Sequence, residues 1–301
     1  MKGREIFVFL GIIVIILIAS VLAISVFLPS VATFSGGKTI ALLTVNGEIA
    51  DNSSSGTADS SELVDSLEKA ASDPAISAIL IEIDSPGGYP VATKRVVRKI
   101  EGIRAEYKKP VVAYIGEMGA SGGYYIASAC DHIMADEDSI TGSIGVISMV
   151  PDVNGLLSKL GISIVTITGG NLKAMGDPFH EMTDEERAVF EEMIQSVYKR
   201  FKADVLRLRA GKVKEDMFDS IADGRVLTGA KALEYGLIDS TGTYDDAITK
   251  TAELAKIEGK PEIKLYSRKR ISLVDFFGEM GSSFASGFRQ ELSSKTSVYY
   301  K

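Results

Sequence analysis

The hydrophobic pattern divides the chain before any single side chain is considered. Ile6 to Leu28 is an uncharged, mostly apolar run closed by Pro29-Ser30. As a helix rising 1.5 Å per residue it would extend about 35 Å, enough to cross a hydrocarbon core about 30 Å thick. A cleavable signal peptide has a shorter apolar region with a small-residue exit, whereas Ala19, Ser20 and Ala23 lie inside this run, so a retained transmembrane helix is expected. Lys2 and Arg4 ahead of it predict a cytoplasmic N-terminus over 1–5, with everything after Pro29 outside. A Ser/Gly linker, 29–38, follows, then one folded domain over 39–259 and a partly irregular C-terminal extension over 260–301.

Within the domain, short apolar runs alternate with stretches of helical spacing. Strands are predicted at Thr39 to Val45, Ile76 to Asp84, Pro110 to Ile115, Asp131 to Ala135, Asp138 to Ile147 and Ile162 to Thr168. Helices are predicted at Ser61 to Ser72 with Ser60 or Ser61 as cap, Val91 to Tyr107, Asp152 to Leu160, Asp184 to about Ala210 and Asp245 to Ala255. Thr183 or Asp184, with Glu186 downstream, is expected to cap the longest of these. Strand, Pro86-Gly87-Gly88 turn, helix and strand in succession make a βαβ unit, hence an α/β fold with a parallel sheet. Ligands of such sheets collect beyond the carboxyl ends of the strands. Gly87-Gly88 and the run Gly116 to Tyr125 both fall there, one strand apart.

Composition narrows the chemistry. A net charge of −7 argues against nucleic acid as a partner, because phosphate binding needs a concentrated basic face. The one cysteine, Cys130, forms no intrachain disulfide and reads as a packing residue. Only two histidines are present, His132 and His180, so a Ser-His-Asp triad or a multi-His metal site would have to draw on these alone. No metal or cofactor is expected, and His132 reads as a surface or turn residue.

The candidate chemistry lies in Gly119-Ala120-Ser121-Gly122-Gly123-Tyr124-Tyr125. A serine between an apolar strand and a helix start is a place where an α/β protein presents a hydroxyl. Glycines let a substrate approach the backbone, and the helix start leaves free N–H donors beside it. Ser121 is therefore a candidate nucleophile. A serine hydroxyl needs a base, and with histidine scarce the candidates are a carboxylate or a lysine. A lysine serves only where its pKa falls from about 10.4 to about 7 or 8. Most of the other lysines stand on helix faces or among charges, while Lys173 sits in the Gly-rich loop Gly169 to Pro178, beside Leu172 and Ala174-Met175.

Several blocks together resemble one family. Ile83-Asp84-Ser85-Pro86-Gly87-Gly88, Met118 to Tyr125, Thr141-Gly142-Ser143-Ile144-Gly145-Val146, Gly170-Asn171-Leu172-Lys173 and Asp223 to Gly229 are similar, in order and approximate spacing, to those of the signal peptide peptidase A family, over roughly Ile40 to Lys250. The single N-terminal apolar segment resembles the short, one-domain form. The resemblance implies a serine-lysine protease with a layered β-α superhelix like that of the caseinolytic protease and crotonase group. It implies Ser121 as nucleophile, Lys173 as general base, Ser143 orienting the lysine, and the N–H groups of Gly88 and Gly122 as the oxyanion hole. It further implies a ring-shaped homo-oligomer with serine and lysine from neighbouring protomers, and signal peptides or other apolar peptides as substrates. Two alternatives remain at this stage. A crotonase-like acyl-CoA hydratase or hydrolase would bind CoA and ignore serine-directed reagents; a non-catalytic membrane scaffold would keep its activity in Ser121→Ala.

Overall fold

The computed structural model of the protein describes residues 39–51 and 57–266. The apolar run 6–28, the linker 29–38 and the terminal stretch from Ser282 to Lys301 lie outside the described residues. Among the described residues no helix is long and apolar enough to cross a membrane.

The elements are, in chain order, β1 (Thr39–Asn46), β2 (Glu48–Ala50), β3 (Thr57–Asp59), α1 (Ser60–Ser72), β4 (Ile76–Ser85), α2 (Pro90–Glu106), β5 (Val111–Ala120), α3 (Gly122–Ser128) and β6 (His132–Ala135). They continue with β7 (Ile140–Gly142), α4 (Asn154–Lys159), α5 (Asp184–Leu208), α6 (Glu215–Ile221), β8 (Val226–Thr228), α7 (Gly229–Glu234), β9 (Ser240–Thr241), α8 (Tyr244–Leu254) and β10 (Glu262–Leu265). The fold is mixed α/β with a mostly parallel sheet, whose main path runs β10-β1-β4-β5-β6-β9.

The central strands are apolar on both faces because both faces are covered. Ala41, Leu43, Val45, Ile79, Ile81 and Ile83 face the core shared with Leu67 of α1 and Val96, Val97 and Ile100 of α2. Their neighbours Ile40, Ala78, Leu80 and Val112 point the other way, into a second cluster with Ala247 and Ala252. Strand alternation thus feeds two layers from one sequence run.

β5 is the organising strand, and one of its edges serves two neighbours. Val112–Ile115 pairs with β6, and Met118–Ala120 pairs with β7, both parallel. β7 then pairs antiparallel with β8. At the parting, the Ser139 hydroxyl donates to the Gly116 carbonyl and, at 3.0 Å, to that of Ile115, which also accepts the Asp136 N–H at 3.3 Å.

The structure departs from the sequence pattern where tertiary pairing decides. β5 continues to Ala120 rather than ending at Ile115, because β7 supplies a partner for its last residues. The predicted strand Asp138 to Ile147 shrinks to Ile140–Gly142, since the chain turns at Ser143 with φ 50°. Ile162 to Thr168 forms no strand; residues 161–170 are exposed, and an apolar run with no sheet to join has no ladder to hold it extended. The cap of α1 is Asp59, accepting from the N–H groups of Ser61 and Glu62, rather than either serine. The sheet also runs past Gly259, since β10 pairs with β1. Of the two caps expected for α5, the chain uses Thr183, in a capping box with Glu186.

Candidate active site

The site lies beyond the carboxyl ends of β4, β5 and β7. Ser121 follows β5 directly, at φ 51° and ψ −115°, and caps α3 without using its side chain as a cap. A capping serine ordinarily accepts from the first helical turn; here the hydroxyl is left for other use. The residue is pinned through its backbone, with its N–H donating to Gly142 at 2.9 Å and its carbonyl accepting from Tyr125 at 2.9 Å.

Two glycine turns close on it. A β-carbon on Gly87, which has φ 104°, would lie 2.7 Å from the Gly122 nitrogen and 2.9 Å from Ser121 Cβ. A β-carbon on Gly88 would lie 2.1 Å from the Ile49 carbonyl oxygen, so β2 presses against this turn from behind. Ser85, fully buried, sets the turn: its hydroxyl donates to the Gly47 carbonyl at 2.6 Å and accepts from the Gly87 N–H at 3.1 Å. The Gly88 N–H takes no backbone partner among the described residues, and the Gly122 N–H opens α3, where no carbonyl one turn back can receive it. Two free donors on adjacent loops beside one hydroxyl are the geometry an oxyanion needs.

Ser143 joins from β7. Gly142 and Ser143 both have positive φ, 75° and 50°, and the Ser143 N–H is held by the Arg225 carbonyl at 2.8 Å. Since Gly142 also accepts the Ser121 N–H, Ser143 is fixed beside the serine by its neighbour. The helix behind the serine is tied down in turn. The Tyr125 hydroxyl donates to Asp204 of α5, which also receives Lys94 of α2 at 2.9 Å. Burial works to raise the Asp204 carboxyl, but Tyr125, Lys94 and Arg207 outweigh it and hold it below the usual carboxylate range.

Lys173 lies on a different loop. It is exposed in a turn before α5, and among the described residues no hydrogen bond or ion pair joins its amine to Ser121, to Ser143 or to an acid. Its loop is nonetheless well anchored. Asp177 accepts from Thr166 at 2.7 Å and from the Phe179 N–H at 2.9 Å, and Pro178 accepts from Val153 at 2.8 Å. His180 lies 3.1 Å from Glu186, the buried acid of the capping box. Among the described residues, backbone bonds and close approaches join Ser121, Ser143, Gly88 and Gly122, and no hydrogen bond links Lys173 to them.

His132 opens β6, half-buried, with Nε2 2.9 Å from the Ser240 hydroxyl, rather than standing in a surface turn. Burial holds its pKa below the usual imidazole value. Cys130 is buried and its thiol contacts the Ile126 carbonyl. Ser85 and Asp204 carry no sequence signal of their own: each acts on an element distant in the chain, and only the folded arrangement reveals it.

A sequence profile of Peptidase family S49 matches residues 104–258. A candidate protease of Methanocaldococcus jannaschii is 38% identical over 204 residues, covering 68% of this chain and 63% of that protein. A candidate signal peptide peptidase of Enterococcus faecium is 35% identical over 219 residues, covering 71% of this chain and 63% of that one. A candidate protease of Synechocystis is 38% identical over 224 residues, covering 73% of this chain and 76% of that one. The chain thus spans less than two thirds of the length of the first two of these relatives.

Proposed function

Because the chain belongs to peptidase family S49, we propose that it is a membrane-anchored serine endopeptidase that cuts remnant signal peptides and other apolar peptides. Ser121 is the nucleophile and Lys173 the general base. The observation that carries this reading is the Ser121 turn, where an uncommitted hydroxyl meets two unpaired N–H donors, those of Gly88 and Gly122. The Ser121 oxygen attacks the scissile carbonyl while the neutral lysine amine takes its proton. The two N–H groups receive the oxyanion, a contact worth about 3 kcal/mol for each donor. The lysine ammonium, oriented by Ser143, gives its proton to the leaving amine, and the freed amine then deprotonates the water that hydrolyses the ester. The stacking of the layers fits a superhelix like that of the caseinolytic protease and crotonase group.

The base reaches the serine across a ring of copies, each protomer lending Lys173 to a neighbour's Ser121. Two features support this. The amine has no hydrogen-bond or ion-pair partner among the described residues, and the segment before it exposes Ile147 (83%), Met149 (86%), Val165 (79%) and Ile167 (91%), an apolar surface that a second copy would bury. The run 6–28 anchors the enzyme in lipid, with the domain extracytoplasmic.

Ser121→Ala and Lys173→Ala are each expected to abolish cleavage of an apolar peptide with unchanged circular dichroism. Full activity in the lysine variant would overturn the assigned base.

A further inference from the structure

Each donor of the proposed oxyanion hole stands at the start of a helix: Gly122 opens α3, and Gly88 lies two residues ahead of α2. The two turns meet closely, since a β-carbon on Gly122 would lie 3.2 Å from the Gly88 nitrogen and 3.2 Å from Gly87 Cα. Glycines that approach in this way have no side chains to interlock, and their backbone is the freest of any residue. The spacing of the two N–H groups therefore has to be fixed elsewhere.

It is fixed one turn further along each helix. Tyr125 of α3 donates its hydroxyl to Asp204 Oδ2, and Lys94 of α2 donates its amine to the same oxygen at 2.9 Å. One carboxylate oxygen on α5 thus holds the helix behind Ser121 and the helix behind Gly88 to a common point. Hydrogen bonds to an ionised acceptor are short and strong, so the point is a stiff one. The Tyr125 N–H donates to the Ser121 carbonyl at 2.9 Å, and a shift of Tyr125 passes to the serine through that single bond.

The three helices have other contacts to keep them together. The Tyr125 ring lies against Phe201 of α5 with centroids 4.8 Å apart, and Arg207 of α5 donates to Glu101 of α2 as well as to Asp204 Oδ1. What Asp204 adds to these is the register of α2 against α3.

Resting on the reading of Ser121 as nucleophile, we propose that Asp204 is a positioning residue for the oxyanion hole, setting the separation of the Gly88 and Gly122 N–H groups through Lys94 and Tyr125. Both donors must meet the developing oxyanion at once, a demand that the bound peptide carbonyl does not yet make. Asp204 therefore acts on kcat rather than on KM.

The test is Asp204→Ala, Tyr125→Phe and the double variant in the full-length protein, assayed on an apolar peptide beside Ser121→Ala. A serine-directed acylating reagent counts the reactive sites in each preparation. Asp204→Ala is expected to lower kcat per reactive site by about 10- to 100-fold with KM little changed, the number of sites staying that of the parent. Tyr125→Phe keeps the ring on Phe201 and loses only the hydroxyl; it should lower kcat in the parent and cause no further loss in Asp204→Ala. Undiminished kcat in Asp204→Ala, with Ser121→Ala inert, would overturn the aspartate's role and leave the nucleophile standing. Fewer reactive sites, each as fast as in the parent, would show a residue that only maintains the fold and also overturn it. So would a Tyr125→Phe loss of equal size in both backgrounds, because the hydroxyl would then act by another route. Activity in Ser121→Ala would instead remove the premise and the proposal with it.

Discussion

Ser121 holds a backbone conformation, φ 51° and ψ −115°, that a residue with a β-carbon adopts at a cost of about 1–3 kcal/mol. Ser121→Gly removes both the clash and the hydroxyl. It is expected to raise the unfolding free energy by about 1 kcal/mol while reducing cleavage to background, read by denaturant melts and peptide assay; a less stable variant would show that the turn holds no strain. Gly88 presents the opposite case, because a β-carbon there would meet the Ile49 carbonyl oxygen at 2.1 Å. Gly88→Ala must move either β2 or the turn, so both thermal midpoint and kcat are expected to fall, and an unchanged midpoint would contradict the close approach. The turns that hold these positions were legible in the sequence because small residues clustered after apolar runs, a pattern that ordinary turns share, and only the resemblance pointed to Gly88 as a donor. Ser85 and Ser139 were not legible, since a lone serine carries no sign of which distant carbonyl it will reach.

At the level of elements, the end of α5 is fastened to the sheet by one buried pair. Arg209, 1% exposed, donates to both oxygens of Asp239 at 2.9 and 3.0 Å, and Asp239 also accepts the Ile133 N–H of β6 at 2.8 Å. Burial works to raise the Asp239 carboxyl, yet Arg209, Lys212 and that N–H prevail and hold it at about 2. An unfolded aspartate titrates near about 3.9. The folded carboxyl therefore contributes its stability in full above about pH 5 and loses it as pH falls through that interval towards about 2. The thermal midpoint is expected to drop across this window. Asp239→Asn is expected to flatten that dependence and, by leaving a buried guanidinium uncompensated, to cost about 3 kcal/mol or more; an unaltered acid profile would show that another carboxylate governs it. The helix itself was plain from its capping box, Thr183 with Glu186. The run Ile162 to Thr168 misled because alternation reports an apolar face without saying what will cover it.

For the whole molecule, the proposed division of labour between copies has a direct reading. Ser121→Ala and Lys173→Ala, each inactive alone, are expected to regain up to about a quarter of parental activity when co-expressed, since random association gives one site in about four an intact serine beside an intact lysine. Complete inactivity of a mixture shown by mass analysis to contain both chains would place serine and lysine in the same protomer. The parallel sheet and its βαβ core followed from apolar runs and glycine turns. The short strands β8 and β10 did not, because strands of three or four residues are fixed by their partners rather than by their own composition.

The parting of β6 and β7 along one edge of β5 makes Ser139 a rivet at a forked seam. With that hydroxyl gone, the Ile115 and Gly116 carbonyls would each lose a donor at the spot where the lower half of the strand belongs to the body of the sheet and the upper half to the serine. A crack opening there would run towards Ser121 before it reached the core. Amide hydrogens from Met118 to Ala120 in Ser139→Ala would then exchange sooner than those from Val112 to Ile115.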